Sequence, residues 1–410
     1  MKTLVLGKGV ANDGVVLLLE EEQIEYDYLN LDEVTHFDYA YVVKAPGIPY
    51  FHETIQRFLD LKIRVITDIE LAFILRKKFY IGVTGSNGKT TTVSLIEHIL
   101  SDKYQVVACG NIGYSVCRAL VEHPEAEVFI VELSSFQLEN TKIDLDISIL
   151  LNVHPCHQDH HKDYQSYIAS KANLCLNQSA NHACIYHLDD PILRQVVKGT
   201  AANRISFSRT SYLAKCYIHN NTIYYNHKKI IALEDKLLEK HFLVEDVMAA
   251  ISATMLLKRI VPKTIRKQLS TFQEVEYRLT KLNDFIYNDA KSTNPYSTLA
   301  ALNCFDQVDL ICGGYDRKEN LDCLQESLPK LKRVYAYGQT RYKIQEYMHR
   351  NDVECLTFDS LDEAFRKAYQ DREKEIILFS PMFASFDGFK NYVERGKYFS
   401  EIAQKFLNDE

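Results

Sequence analysis

The stretch Ile81-Gly82-Val83-Thr84-Gly85-Ser86-Asn87-Gly88-Lys89-Thr90-Thr91-Thr92 decides how this chain is read. An apolar run turns through Gly85 and Gly88 onto a Lys-Thr pair. Val93, Ile96, Ile99 and Leu100 then share one face at helical spacing. Strand, glycine turn and helix in that order make a cradle for phosphates. Glycines let backbone N–H groups wrap the anion, and the helix N-terminus adds the positive end of its dipole. Lys89 is placed to reach the β- and γ-phosphates, and the following hydroxyl to reach Mg²⁺. Val83 stands where the strict motif has its first glycine, so the loop is a variant. A plain helix-capping turn is the competing reading.

Working outward, 410 residues exceed one ordinary core, and two or three domains are expected. Apolar residues make up 46% and charged residues 25%, both globular values. A net charge of −7 implies no general affinity for nucleic acid. No apolar run approaches the ~18 residues of a membrane span, and the first residues read as a strand rather than a leader. Ten dispersed cysteines without a CxxC pair are expected to be reduced thiols in the cytoplasm.

Short apolar runs alternate with helical patterns, which predicts an α/β chain with mostly parallel sheets. A first domain is expected over 1–78. It opens on strand Thr3–Leu6 and the turn Gly7-Lys8-Gly9, and later runs Tyr41–Lys44 into a Pro-Gly turn. Gly-x-Gly hints at a dinucleotide-type fold, but Asn12 replaces the third glycine. A second domain, 79–275, surrounds the phosphate loop. It has strands ending at Glu132 and Asn152, a hairpin around Asn220-Asn221, and a closing helix from Val247 to Leu257. A third, 276–410, has strands near Val308–Ile311, Val334–Tyr337 and Ile376–Phe379.

The polar residues just past strand ends are where open α/β sheets bind ligands. Glu132 suits Mg²⁺, a hard ion that takes oxygen ligands, or it is a surface carboxylate. The run Asn152-Val153-His154-Pro155-Cys156-His157-Gln158-Asp159-His160-His161 has three readings: a zinc site, one histidine on a nucleotide-bound cation, or a polar loop. Tyr287–Pro295 packs a carboxylate, an amine and a hydroxyl into one loop, and Ser380–Asp387 offers N–H groups and a hydroxyl that suit an anion; each is otherwise a capped loop.

Taken together, these segments resemble the Mur ligase family of peptidoglycan synthesis almost end to end. Glu132-Leu133-Ser134-Ser135-Phe136-Gln137-Leu138-Glu139 and Ser380-Pro381-Met382-Phe383-Ala384-Ser385-Phe386-Asp387 point to the branch that adds D-glutamate to UDP-N-acetylmuramoyl-L-alanine. The resemblance implies three domains: Rossmann-like, P-loop ATPase-like, and Rossmann-like again. They would bind the UDP-precursor, ATP and the amino-acid acceptor in turn, in a cytoplasmic monomer. It places Gly7, Gly9 and Asn111 on the precursor. Gly85, Ser86, Asn87, Gly88, Lys89, Thr90, Thr91, Asp246, Arg278 and Asp289 fall on ATP. Thr90, Glu132, His157 and Lys171 fall on Mg²⁺, the lysine as a carbamate, and Lys89, Glu132, His157 and Lys171 are the implied catalytic set. Lys291, Thr293, Arg317, Ser385 and Phe386 fall on the acceptor side, with Tyr392 beside them.

Four positions depart from the family pattern. Cys156 stands where Asp is usual, Tyr277 where His is usual, Asp246 where an adenine-site Asn is expected, and Arg317 where a lysine often grips D-glutamate. A sibling ligase with another acceptor and a non-catalytic nucleotide-binding protein on the same scaffold are the alternatives.

Overall fold

The computed structural model describes residues 2–155, 161–233, 244–272 and 276–408. The chain forms two compact units, residues 1–153 with 162–272, and residues 154–161 with 273–410.

The first unit contains two sheets. The smaller comprises β1 (Thr3–Leu6), β2 (Tyr26–Leu29), β3 (Tyr41–Lys44) and β4 (Arg64–Ile66), all parallel, in the order β2-β1-β3-β4. The turn after β1 leads into the helix Val10–Glu21. The buried Asn12 amide donates to the carbonyls of Leu6 and Gly7 at 3.0 and 2.7 Å. This asparagine ties the turn from inside, at the position where a dinucleotide fingerprint has its third glycine.

The larger sheet comprises β5 (Phe79–Thr84), β6 (Val106–Gly110), β7 (Val128–Glu132), β8 (Ile147–Leu150), β9 (Ala183–His187), β10 (Asn203–Ser208), β11 (Cys216–His219), β12 (Thr222–Tyr225) and β13 (Lys228–Ala232). Its order is β13-β12-β11-β10-β9-β8-β5-β7-β6. Pairing is parallel from β6 to β11 and antiparallel beyond. The expected hairpin is β11–β12. Asn220 and Asn221 take left-handed φ of 44° and 51°, as a two-residue hairpin turn requires. The apolar face of the helix Lys89–Leu100 packs on β5, so Val93, Ile96, Ile99 and Leu100 are all buried in the core. The helix expected from Val247 starts earlier, at Val244, and a further helix, Pro262–Thr271, follows it.

The two sheets of this unit meet through helices. Gly14 faces Ser115, and a Cβ there would lie 2.8 Å from Ser115 Cβ and 3.1 Å from the Arg118 nitrogen. Neither atom lies at the far end of a flexible side chain, so the position demands glycine. Gly14→Val should therefore lower the free energy of unfolding by about 1–3 kcal/mol through overpacking, read by thermal or urea denaturation.

The second unit has one sheet: β14 (Thr280–Lys281), β15 (Ile286–Asn288), β16 (Val308–Gly313), β17 (Leu331–Tyr337), β18 (Cys355–Phe358) and β19 (Ile376–Met382), in the order β14-β15-β19-β16-β17-β18. Only β14 is antiparallel. Both faces are apolar and covered, as parallel sheets require. Among the described residues, no helix is long and apolar enough to cross a membrane.

Candidate active site

The phosphate loop springs from the middle of the larger sheet. β5 lies between β7 and β8, with Val83 opposite Glu132 and Thr84 opposite Leu150. The turns after all three strands therefore converge at one edge. Val83 is a buried strand residue. The strand runs through Thr84, so the glycine turn begins at Gly85, and this accounts for the valine in the motif.

Gly88 takes a left-handed φ of 83° and caps the helix Lys89–Leu100. Its missing Cβ also makes room for Asp246, whose Oδ1 lies 2.1 Å from where that atom would sit. The Lys89 amine folds back onto the carbonyls of Gly85 and Ser86 at 2.8 and 3.2 Å. The Thr90 hydroxyl donates to Glu132 Oε2 at 2.6 Å, and the Asn111 amide donates to Glu132 Oε1 at 3.0 Å. Thr90, Glu132 and Asn111 thus form one chain of contacts beside the phosphate cradle. A hydroxyl and a carboxylate on adjoining turns are hard oxygen donors of the kind Mg²⁺ takes. Lys171 is buried on the helix Tyr164–Leu176. Its amine donates to the Gly85 carbonyl at 2.9 Å and to Thr84 Oγ1 at 3.3 Å, and lies 4.9 Å from the Tyr167 ring centre. Thr91, by contrast, is buried at 3% exposure in the first turn of its helix.

Two residues to which the sequence reading gave no role in the phosphate loop support it. Asn152, at the end of β8, accepts from the Asn87 nitrogen at 2.9 Å through its side chain and from the Ser86 nitrogen at 3.0 Å through its carbonyl. Tyr167 shares a 2.8 Å hydrogen bond between its hydroxyl and Ser86 Oγ. The signal for Asn152 was its position: it follows β8 as Glu132 ends β7. His157 lies outside the described residues, as does Cys156.

In the smaller sheet, the turn at Gly7 packs on the Pro-Gly turn after β3. A Cβ on Gly7, at φ 89°, would meet Ile48 at 2.9 Å and Ala45 at 3.0 Å. Open space adjoins Gly9. Lys44, buried at the end of β3, holds the second turn by donating to the Ile48 carbonyl at 2.8 Å. Burial pulls the Lys44 amine down to about 8, against the opposing pull of Glu139 and Asp68.

The second unit carries the remaining candidates on the turns after β15, β16 and β19, with Arg278 just before β14. Asp289 is fully buried. It accepts from the Ser380 hydroxyl at 2.8 Å and from the Leu279 nitrogen at 3.3 Å. Burial raises its carboxyl above the usual range, opposed by the nearby Arg278 charge and by hydrogen bonds from Ser292 and Ser380. Arg278 donates to Ser292 Oγ at 3.2 Å. Tyr277 and Leu279 on either side of it take positive φ of 60° and 50°. The Tyr277 ring lies 2.5 Å from where a Cβ on Gly396 would be, so the tyrosine that replaces histidine is matched by a glycine facing it. Lys291 stands over the Tyr392 ring at 5.3 Å, and Arg317 over the Phe386 ring at 5.2 Å. Thr293 is half-buried, Ser385 is buried and Phe386 is exposed.

Residues 83–252 match the family model of the Mur ligase middle domain. The UDP-N-acetylmuramoylalanine–D-glutamate ligase of Geobacillus kaustophilus (strain HTA426) is 34% identical over 375 residues, covering 89% of this chain and 83% of the relative. The enzyme of the same name from Streptococcus agalactiae serotype III (strain NEM316) is 32% identical over 386 residues, covering 92% and 85%. Among solved structures, the MurF ligase of Thermotoga maritima in complex with ADP superposes with a TM-score of 0.64 at 15% identity, over 99% of this chain and 95% of that one. MurC from Thermotoga maritima gives 0.61 at 14%, over 99% of both chains. These structures share the fold; the sequence relatives fix the kinship. The chain belongs to the Mur ligase family, on the branch of the UDP-N-acetylmuramoylalanine–D-glutamate ligases.

Proposed function

We propose that this chain is an ATP-dependent amide ligase that joins D-glutamate to UDP-N-acetylmuramoyl-L-alanine through an acyl phosphate. The observation that carries the reading is the contact chain Thr90–Glu132–Asn111 beside a Gly-Lys-Thr phosphate loop, in a chain one-third identical to enzymes of that name. Forming an amide from a carboxylate and an amine is uphill in water. ATP transfers its γ-phosphoryl group to the precursor carboxylate. The acceptor amine then attacks the acyl carbon, phosphate leaves with the C–O bonding pair, and the amine gives up a proton. Little covalent chemistry is asked of the protein. Its work is to align anions that repel one another and to meet charge as it develops.

In this reading Lys89 leaves the Gly85 and Ser86 carbonyls for the phosphates, whose oxygens are better acceptors for an ammonium. Thr90 and Glu132 would hold Mg²⁺, with His157 and Lys171 as its carbamate assigned to the same ion. Mg²⁺, when bound, supplies a positive charge that offsets the phosphate oxygens. Asn111 would orient the precursor, and Asp246, Arg278 and Asp289 would serve the nucleotide. Gly7 and Gly9 receive the UDP end. Lys291, Thr293, Arg317, Ser385 and Phe386 would take the acceptor, with Arg317 able to grip a carboxylate bidentately where the family resemblance implies a lysine.

The test is phosphate release with ATP, the UDP-precursor and a panel of amino acids. D-Glutamate should give the highest kcat/KM. A preference for L-alanine, meso-diaminopimelate or L-glutamate would move the chain to a sibling activity. No acceptor-dependent release at all would leave a nucleotide-binding protein.

A further inference from the structure

Arg395, on the helix Tyr392–Asn408, is wholly buried, with the Asp387 carboxylate and the Tyr337 hydroxyl near enough to act on its charge. Burying a guanidinium is costly unless its donors are used. Here the two terminal nitrogens go to backbone carbonyls, while Nε is buried without a partner among the described residues. Nη2 donates to Phe383 at 2.9 Å and to Ala290 at 3.3 Å, and Nη1 to Gly313 at 3.5 Å. Those three carbonyls stand at the ends of β19, β15 and β16, which are neighbours in the sheet. Each begins the turn that carries acceptor-side candidates: Ser385 and Phe386 after Phe383, Lys291 and Thr293 after Ala290, Arg317 after Gly313. Gly314, φ 149°, lets these groups approach: a Cβ there would meet the Ala384 carbonyl oxygen at 2.3 Å, Phe383 Cβ at 3.0 Å and Arg395 Nη1 at 3.1 Å. The same turns are joined laterally, with the Tyr315 nitrogen donating to Ala384 and the Met382 nitrogen to Ser292.

We propose that Arg395 is a positioning residue for the acceptor amino acid: one buried guanidinium sets the spacing of the three turns that bind it. The inference rests on the acceptor-side assignment made above. A dicarboxylate with a reacting amine needs at least three contact points, so relative movement of these turns costs acceptor affinity before it costs nucleotide affinity. The fork shape is what matters, because an ammonium is a point donor that cannot span carbonyls on both arms.

Arg395→Lys keeps the charge and loses the fork, and Arg395→Gln keeps one planar amide. Both are compared with wild type in steady-state kinetics, alongside titration with a fluorescent ADP analogue. Expected for Arg395→Lys is a rise of about tenfold or more in KM for the acceptor, the worth of one or two hydrogen bonds. KM for ATP and analogue affinity should stay within about twofold, the split expected when acceptor binding alone is lost. Hydrogen exchange should quicken together in the peptides spanning 290–294, 313–317 and 383–387. An unchanged acceptor KM, or acceptor and ATP KM rising in step, overturns the proposal. Loss of folding in both variants overturns it too, since the guanidinium would then be a strut for the whole unit. If the acceptor-side reading itself is wrong, wild type reveals it first by showing no D-glutamate-dependent turnover.

Discussion

Lys89→Ala should lower turnover by about a hundred- to a thousand-fold while leaving the fold intact. The size follows from removing one preorganised positive group from a phosphoryl-transfer site. The intact fold follows from the lysine's present partners. Its amine caps two loop carbonyls, Gly85 and Ser86, in a half-buried turn that water can serve in its place. The loop keeps its other supports, since Asn152 holds the nitrogens of Ser86 and Asn87, and Tyr167 holds the Ser86 side chain. Lys89→Arg should not restore activity fully, because a guanidinium fork does not fit a site shaped for a compact ammonium. The measurement is ADP formation with saturating precursor and acceptor, with circular dichroism and melting temperature as the folding control. Near-wild-type turnover in Lys89→Ala would remove the phosphate-loop reading.

The residues that make this prediction were legible in the sequence because they are local. A strand, a glycine turn and a helix are written in twelve consecutive positions, and apolar runs placed β1, β5, β7, β8, β16, β17 and β19 within a few residues. What sequence could not provide is which turns meet. Glu132 read equally well as a surface carboxylate until β7 was seen beside β5, with Glu132 opposite Val83 and bonded to Thr90. Asn12 looked like a defect in a glycine fingerprint and is instead the internal tie of its turn. Val83 looked like a missing glycine and is the strand before a turn that begins two residues later. Arg395 sits in a stretch rich in charged residues, Glu394, Lys397 and Glu401, and nothing in its spacing marks it as the buried one. Its carbonyl partners come from turns up to about a hundred positions away, which no local pattern can hold. Short β14 and β15 were missed because two or three residues carry no periodicity.

Lys171→Ala should abolish turnover as fully as Lys89→Ala, and for a different reason. The side chain is buried at 2% exposure behind the phosphate loop, held by Gly85 and Thr84. Two roles fit that place. As an amine, Lys171 only fixes the carbonyl side of the loop. As a carbamate, formed by adding carbon dioxide to the amine with loss of one proton, it becomes an oxygen donor suited to Mg²⁺. The roles separate cleanly. A carbamate requires dissolved carbon dioxide, so wild type depleted of bicarbonate should lose activity and regain it on bicarbonate addition. Lys171→Ala leaves a cavity about the size of the lost side chain, in which a short carboxylate such as formate or acetate can supply the missing oxygens, and partial rescue is expected. Carbon-13 bicarbonate should give a carbamate signal in wild type that Lys171→Ala lacks. Indifference to bicarbonate, no such signal and no rescue would fix the amine itself as the working group. Thr84 offers the control: Thr84→Val removes a polar partner of the amine, along with the hydroxyl's 2.8 Å bond to the Leu133 carbonyl, without touching the carboxylate of Glu132. If the amine is only a strut, Thr84→Val should reproduce much of the loss seen in Lys171→Ala. With the carbamate as the working form, it should cost stability by about 1–3 kcal/mol through the unsatisfied carbonyl while leaving the bicarbonate response in place.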